Sequence, residues 1–332
     1  MPPATELSHT DIEAAAARTG GRVRPVTVTS APEDGIFFAL EFLQHTGTFK
    51  ARGAQNFIRA HLDAGTFPEA GVTIASGGNA GLACAWAARA AGVPATVFLP
   101  TTAPSVKVDR LRSYGARVEL VGSEFAEAAA ACDEFVESSG ALASHAYDHP
   151  LIAAGAGTLM TEILGQVPDL DTVVVSVGGG GLFAGVATAA AHHGVRTVAV
   201  EPKNCRALNA ALEAGEPVDV TVDSVAADSL GARRATPLGV AAARSDLVTS
   251  VLVDDAAINA AREHLWDEHR LAVEHAAATA LAGIDGPHRS GQSRGSDRSD
   301  SSGASGPGAY VPAAGEKVCV ILCGANTSLG DL

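Results

Sequence analysis

From residue 72 onward, short β-branched runs alternate with alanine-rich runs of helical length. VTIAS leads into AGLACAWAARAAG, ATVFLP into VKVDRLRSYG, and RVELVG into EFAEAAAACDEFVES. Parallel strands cannot be joined by a tight turn. They need a crossover of about a dozen residues, which each alanine-rich run supplies. The alternation therefore predicts right-handed βαβ units and a parallel sheet. A second round begins near residue 151 with LIAAGAGTLMTEIL, TVVVSVG, LFAGVATAAAHHG and RTVAVEP. Its last strand, KVCVILCG, comes only after a long interruption. The expected fold is α/β, with two open parallel-sheet domains, each built on its own sheet. No internal repeat or heptad pattern competes with this reading.

The interruption contains IDGPHRSGQSRGSDRSDSSGASGPGAYVPAAGE, rich in Gly, Ser and Pro with almost no large apolar residue. Such a composition cannot offset the entropy lost on ordering, so 284–315 is expected to be a flexible insertion. The chain as a whole has 332 residues and is 47% hydrophobic, ample for two cores. Lys plus Arg number 23 against 37 Asp plus Glu, a formal net charge of -14 that argues against nucleic acid and anionic membranes as partners. Apolar runs stop at strand length, so no membrane span is expected. MPPATELSHTDIE lacks the basic start and apolar run of a secretion signal. Cys84, Cys132, Cys205, Cys319 and Cys323 follow no framework spacing, and an odd number reads as reduced thiols in a cytoplasm. Period two puts Cys319 and Cys323 on one face of the last strand, where the plain reading is small buried residues.

Three stretches carry chemistry. In SVGGGGLFAGV, Gly178, Gly179, Gly180 and Gly181 stand between a strand and a helix. Bare backbone N–H groups at a helix N-terminus form an anion-binding nest, suited to a phosphate held without a lysine or arginine. A packing turn is one alternative. A nicotinamide site is another, since Glu201 follows at about the twenty-residue interval that motif requires, although G-x-G-x-x-G is only loosely met. ASGGNAGLA is a second strand-to-helix turn, where Ser76 and Asn79 either project toward a ligand carboxylate or cap the helix. In LQHTGTFKARGAQNF, Lys50 lies among small and aromatic residues. A buried amine loses pKa because its charged form is poorly solvated, and it can then condense with an aldehyde, whereas a surface lysine does neither. His192, His264 and the other histidines show no metal-ligand spacing and are expected to pack or face solvent.

Taken together and in order, LQHTGTFKARGA, SGGNAG, SVGGGGLFAG and ILCGANTSL resemble the serine/threonine dehydratase (ammonia-lyase) branch of the fold-type II pyridoxal-phosphate enzymes, the tryptophan synthase beta-like superfamily. The resemblance covers nearly the whole chain apart from the insertion. It implies a large cofactor-binding domain over 1–52 and 151–332 and a small α/β domain over 53–150. Pyridoxal 5'-phosphate is the implied cofactor and a small amino acid the implied substrate. Lys50 and Ser76 are the catalytic candidates, with Lys50 the Schiff-base lysine and the proton carrier at the substrate Cα. Phe49 and Ser229 are implied at opposite faces of the cofactor ring, Asn79 at its hydroxyl, Gly178 to Gly181 at its phosphate, and Cys323 beside its pyridine nitrogen. Ser76, Asn79 and the Ala80 amide are implied to receive the substrate carboxylate. Glu201 matches a family carboxylate at a cation, with carbonyls of Cys205, Leu230 and Ala232 as companions. Because Ala207 stands where divalent-binding relatives have an acid, a monovalent ion is expected; an exposed, unliganded glutamate is the plain alternative.

The implied reaction is dehydration and deamination of L-threonine or L-serine to a 2-oxo acid and ammonia. The resemblance also implies that the cofactor phosphate protonates the leaving hydroxide. A neutral thiol at Cys323 cannot stabilise a charged pyridinium as a carboxylate does. Alternatives are β-replacement of the cysteine synthase kind, racemisation, and a non-catalytic binder of the same fold. Racemising relatives carry a hydroxyl residue where this chain has Gly77. Three departures bear on substrate choice: Thr48 for a serine, Ala156 for a glutamine and His275 for a proline. A homodimer is expected. Feedback control is not, since little chain follows Cys323.

Overall fold

Each β-branched run forms a strand, and each alanine-rich run forms the helix that crosses back over it. The computed structural model describes residues 6–31, 35–286, 308–328 and 330. The strands in chain order are β1 (Val28–Ser30), β2 (Ile36–Ala39), β3 (Val72–Ala75), β4 (Ala95–Leu99) and β5 (Arg117–Leu120). They continue as β6 (Leu142–Ala143), β7 (Thr172–Ser176), β8 (Arg196–Pro202), β9 (Val248–Val253) and β10 (Val318–Ile321). Two sheets result, ordered β1-β2-β10-β7-β8-β9 and β5-β4-β3-β6. The smaller is parallel throughout. In the larger, β1 runs antiparallel to β2 and the rest are parallel. Residues 31–35 are too few for a crossover, so this pair can only be antiparallel.

Both faces of the large sheet are covered by helices, which is why β7, β8 and β10 read as continuous apolar runs. Val173, Val174, Val198, Val200, Val318 and Val320 are all fully buried. The smaller domain has its own core, including Val72, Ile74, Val97 and Leu99. The five cysteines are free and buried. No helix among the described residues is long and apolar enough to cross a membrane.

The helix Lys50–Asp63 belongs to both domains. Phe57 and Ile58 pack into the smaller core. Arg52, fully buried, donates to Glu41 Oε1 at 2.7 Å and to Glu162 Oε1 at 2.7 Å, on the large-domain side. Burial opposes its charge, but the two carboxylates outweigh burial and keep it protonated. An expected boundary at 52/53 therefore falls inside a helix.

Residues 287–307 of the expected insertion lie outside the described residues. Its flanks do not behave as the composition predicted. Ile284 is buried and bridges Tyr310, and Tyr310 exchanges backbone hydrogen bonds with Gly283 and Asp285 at 2.8 Å. The Tyr310 hydroxyl donates to Glu316 Oε1 at 2.5 Å, and Thr172 and Arg196 donate to the same oxygen. One aromatic with a polar tip is enough to anchor the described flank 308–315, otherwise poor in apolar residues.

Candidate active site

Open parallel sheets bind ligands beyond the carboxyl ends of their strands. Here the ends of β3, β4 and β7 and the turn after β10 border one cavity of about 540 Å³. Four of its walls come from the stretches singled out above: Phe49 and Lys50, Ser76 to Ala80, Gly178 to Gly181, and Cys323.

Lys50 opens the helix Lys50–Asp63, directly after a turn in which Thr46 and Gly47 both have positive φ. Its Nζ donates to Ala146 O at 3.1 Å and lies 4.7 Å from the centre of the Phe49 ring. Burial pulls the ammonium down to about 8, against the opposing pull of Cys323 and Glu274. Burial, reinforced by Glu274, pushes the Cys323 thiol up to about 12, so near pH 7 it gives Lys50 no negative charge. Ser176 Oγ lies 3.7 Å from that thiol.

The glycine run has two local reasons. Gly180 caps the helix Gly181–His192 at φ 98°, a conformation that side chains disfavour. A Cβ on Gly179 falls 2.2 Å from Cε2 of Tyr147, so the ring packs where no side chain can stand. The backbone is thereby left bare at a helix N-terminus, as an anion site requires. Ser229 belongs to the helix Ala227–Leu230, and its carbonyl packs 3.4 Å from the Cβ position of Gly178.

The second turn opens the helix Asn79–Ala91, with Gly78 as its N-cap. Ser76 Oγ accepts from Gly78 N at 3.4 Å. Asn79 Nδ2 donates to both oxygens of Glu274, at 2.9 and 3.1 Å, and Asn79 Oδ1 accepts from Asn326 Nδ2 at 2.8 Å. Asn326 in turn donates its backbone N–H to Glu274 at 2.9 Å and its side chain to Thr46 O at 2.7 Å. Burial raises the Glu274 carboxyl, while Asn79 and Asn326 hold it down. Sequence reasoning missed this triad and Tyr147, whose partners lie far away in the chain.

Pyridoxal phosphate fits these residues. They provide a partly desolvated amine, a bare helix N-terminus for a phosphate and a neutral thiol. In addition, the Thr48 hydroxyl borders the cavity, buried and without a hydrogen-bond partner. Of the three departures, Thr48 lines the cavity, whereas Ala156 is buried in the large core.

The cation candidates divide. Leu230 and Ala232 line the cavity, whereas Glu201 is fully buried at the end of β8. Its two oxygens accept the backbone N–H groups of Leu208 and Asn209, each at 2.8 Å. The plain alternative, an exposed glutamate, is thus excluded: burial raises this carboxyl to about 8 despite those bonds. His192 and His193 face solvent as expected, and the fold also brings them together with His9.

Comparison with known proteins agrees with this geometry. L-threonine ammonia-lyase from Geobacter sulfurreducens is 39% identical over 251 residues, 75% of this chain and 62% of that protein. The chain thus spans less than two thirds of that relative's length. Phenylserine dehydratase from Ralstonia pickettii is 35% identical over 299 residues, 89% of this chain and 84% of that protein. The structure of maize serine racemase superposes with a TM-score of 0.82 at 30% identity, covering 98% of this chain and 95% of that one. The family model described as pyridoxal-phosphate dependent enzyme matches residues 23–299. With the lysine, the glycine cradle and the fold in place, the chain belongs to the family of pyridoxal-phosphate dependent enzymes.

Proposed function

We propose that the chain removes water and then ammonia from L-serine or L-threonine, leaving a 2-oxo acid. The observation that carries this reading is the pairing of Lys50 with Gly77 in one cavity. Lys50 Nζ, neutral above about pH 8, can accept a proton from the substrate Cα. Gly77 offers no side chain to return a proton on another face, and a Cβ there meets Leu99 Cδ2 at 2.5 Å. When bound, pyridoxal phosphate supplies the electron sink for charge at Cα. The N-terminus of Asn79–Ala91 takes the substrate carboxylate, with Ser76 beside it. Glu274 and Asn326 hold the Asn79 amide in one orientation, so it is presented without a rotamer search.

The same reading places a monovalent cation at Glu201. A buried carboxylate raised to about 8 gains from a positive neighbour, and oxygen donors suit an alkali ion. Ala207, buried in the next turn, adds no second acid.

Steady-state assays on L-serine, L-threonine and β-phenylserine test the proposal. Production of 2-oxo acid and ammonia in equal amounts from L-serine or L-threonine is expected. A yellow, cofactor-loaded protein that releases neither product from either substrate overturns it.

A further inference from the structure

Away from the cavity, the helix Gly181–His192 ends in two histidines, His192 and its C-cap His193. Twelve residues at about 1.5 Å each place them roughly 18 Å from the glycine cradle. The N-terminal helix His9–Thr19 begins there, and its first residue brings a third imidazole. One ring nitrogen from each of His9, His192 and His193 lies within 4.8 Å of the other two. His9 stacks on His192 with ring centres 3.7 Å apart and planes 4° from parallel, so one of these two rings must turn for both to ligate one ion; His193 stands edge-on to both, at 5.3 and 5.0 Å.

We propose that these three histidines form a site for a transition-metal dication of the zinc class, clamping His9–Thr19 to the far end of Gly181–His192. Three imidazole nitrogens gathered this closely match the three-histidine sets that hold borderline transition-metal ions. His9 Nδ1 is buried and has no hydrogen-bond partner, so coordination there breaks no existing bond. With Nδ1 on the metal, Nε2 faces the Glu13 carboxylate at 3.8 Å, the outer partner that metal-bound imidazoles ordinarily have. Nitrogen donors favour zinc, nickel, copper or cobalt over magnesium or calcium. His192 and His193 are exposed, leaving the remaining coordination positions to water. The site is a structural clamp, separate from the reaction.

The test is calorimetric titration of EDTA-treated holoenzyme with ZnCl2, alongside thermal melts. The wild type is expected to bind one zinc per chain at this site and to melt about 3 to 6 °C higher with it. His193→Ala, at an exposed position, should lose that equivalent and that shift, while its metal-free turnover and yellow colour match the wild type. Glu13→Gln should weaken zinc about tenfold. Zinc binding unchanged in His193→Ala, or absent from the wild type at micromolar concentration, overturns the proposal.

Discussion

At Lys50, burial and charge act in opposite directions, and burial is the larger effect. The neutral amine is the nucleophile, so uptake of pyridoxal phosphate by cofactor-free protein should accelerate about tenfold per pH unit up to pH 8, then level off. Stopped-flow absorbance measures it; a rate flat between pH 6 and 8 would contradict the neutral-amine argument. Lys50→Ala should abolish turnover, and borohydride reduction of the wild type should place the pyridoxyl mass on the Lys50 peptide. Gly77 makes the complementary prediction. Gly77→Ser should introduce D-serine formation from L-serine that is negligible in the wild type, once Leu99 yields the space. Chiral chromatography of a partly completed reaction decides it. Lys50, Gly77 and the glycine run were legible because each sits in a local motif. Glu274 and Asn326 were not: Asn79 meets them across 195 and 247 positions, and only the fold brings them together.

Among elements, the junction of β8 with the helix Ala207–Ala214 carries a large electrostatic cost. Glu201 titrates near 8 when folded and near 4.5 when unfolded. Between those values Glu201 binds more protons in the folded chain, so its own contribution to stability is most favourable below pH 4.5 and falls as pH rises toward 8. The loss is on the order of a few kcal/mol. In potassium-free buffer, urea midpoints should fall over this window; potassium or Glu201→Gln should flatten the slope. A slope identical in the variant would assign it to other groups. The central βαβ elements were legible because length and alternation agreed. β1 and β2, with three and four residues, are too short to show a period, and β9 is only partly buried, so its pattern is weak.

For the molecule as a whole, the two-sheet plan followed from alternation alone, but the limits of the insertion did not. Ile284 and Tyr310 pair in parallel, so the ends at 286 and 308 point apart and a Gly/Ser link in place of 287–307 needs about a dozen residues to close without strain. Loop closure varies by only about 0.6 kcal/mol per doubling of length. Turnover and melting temperature should barely change. Extending the replacement through Tyr310 removes a partner of buried Glu316 and should cost about 1–3 kcal/mol, readable as a lower urea midpoint. Equal effects of both replacements would refute the anchor.

The position of β10 also bears on how this protein is made. It fills the gap between β2 and β7, yet among the described strands it is the last in chain order. The roughly 280 residues from Ile36 to its partner Val318 take on the order of tens of seconds to emerge from a ribosome. During that interval β2, and β7 once it has emerged, present unpaired edges in a half-built sheet, while the smaller domain, contiguous from β3 to β6, can already close. The cofactor cannot be enclosed until the Cys323 turn arrives. A nascent chain stalled before β10 is therefore a client for chaperones, and supplying free cofactor early in translation will not rescue it.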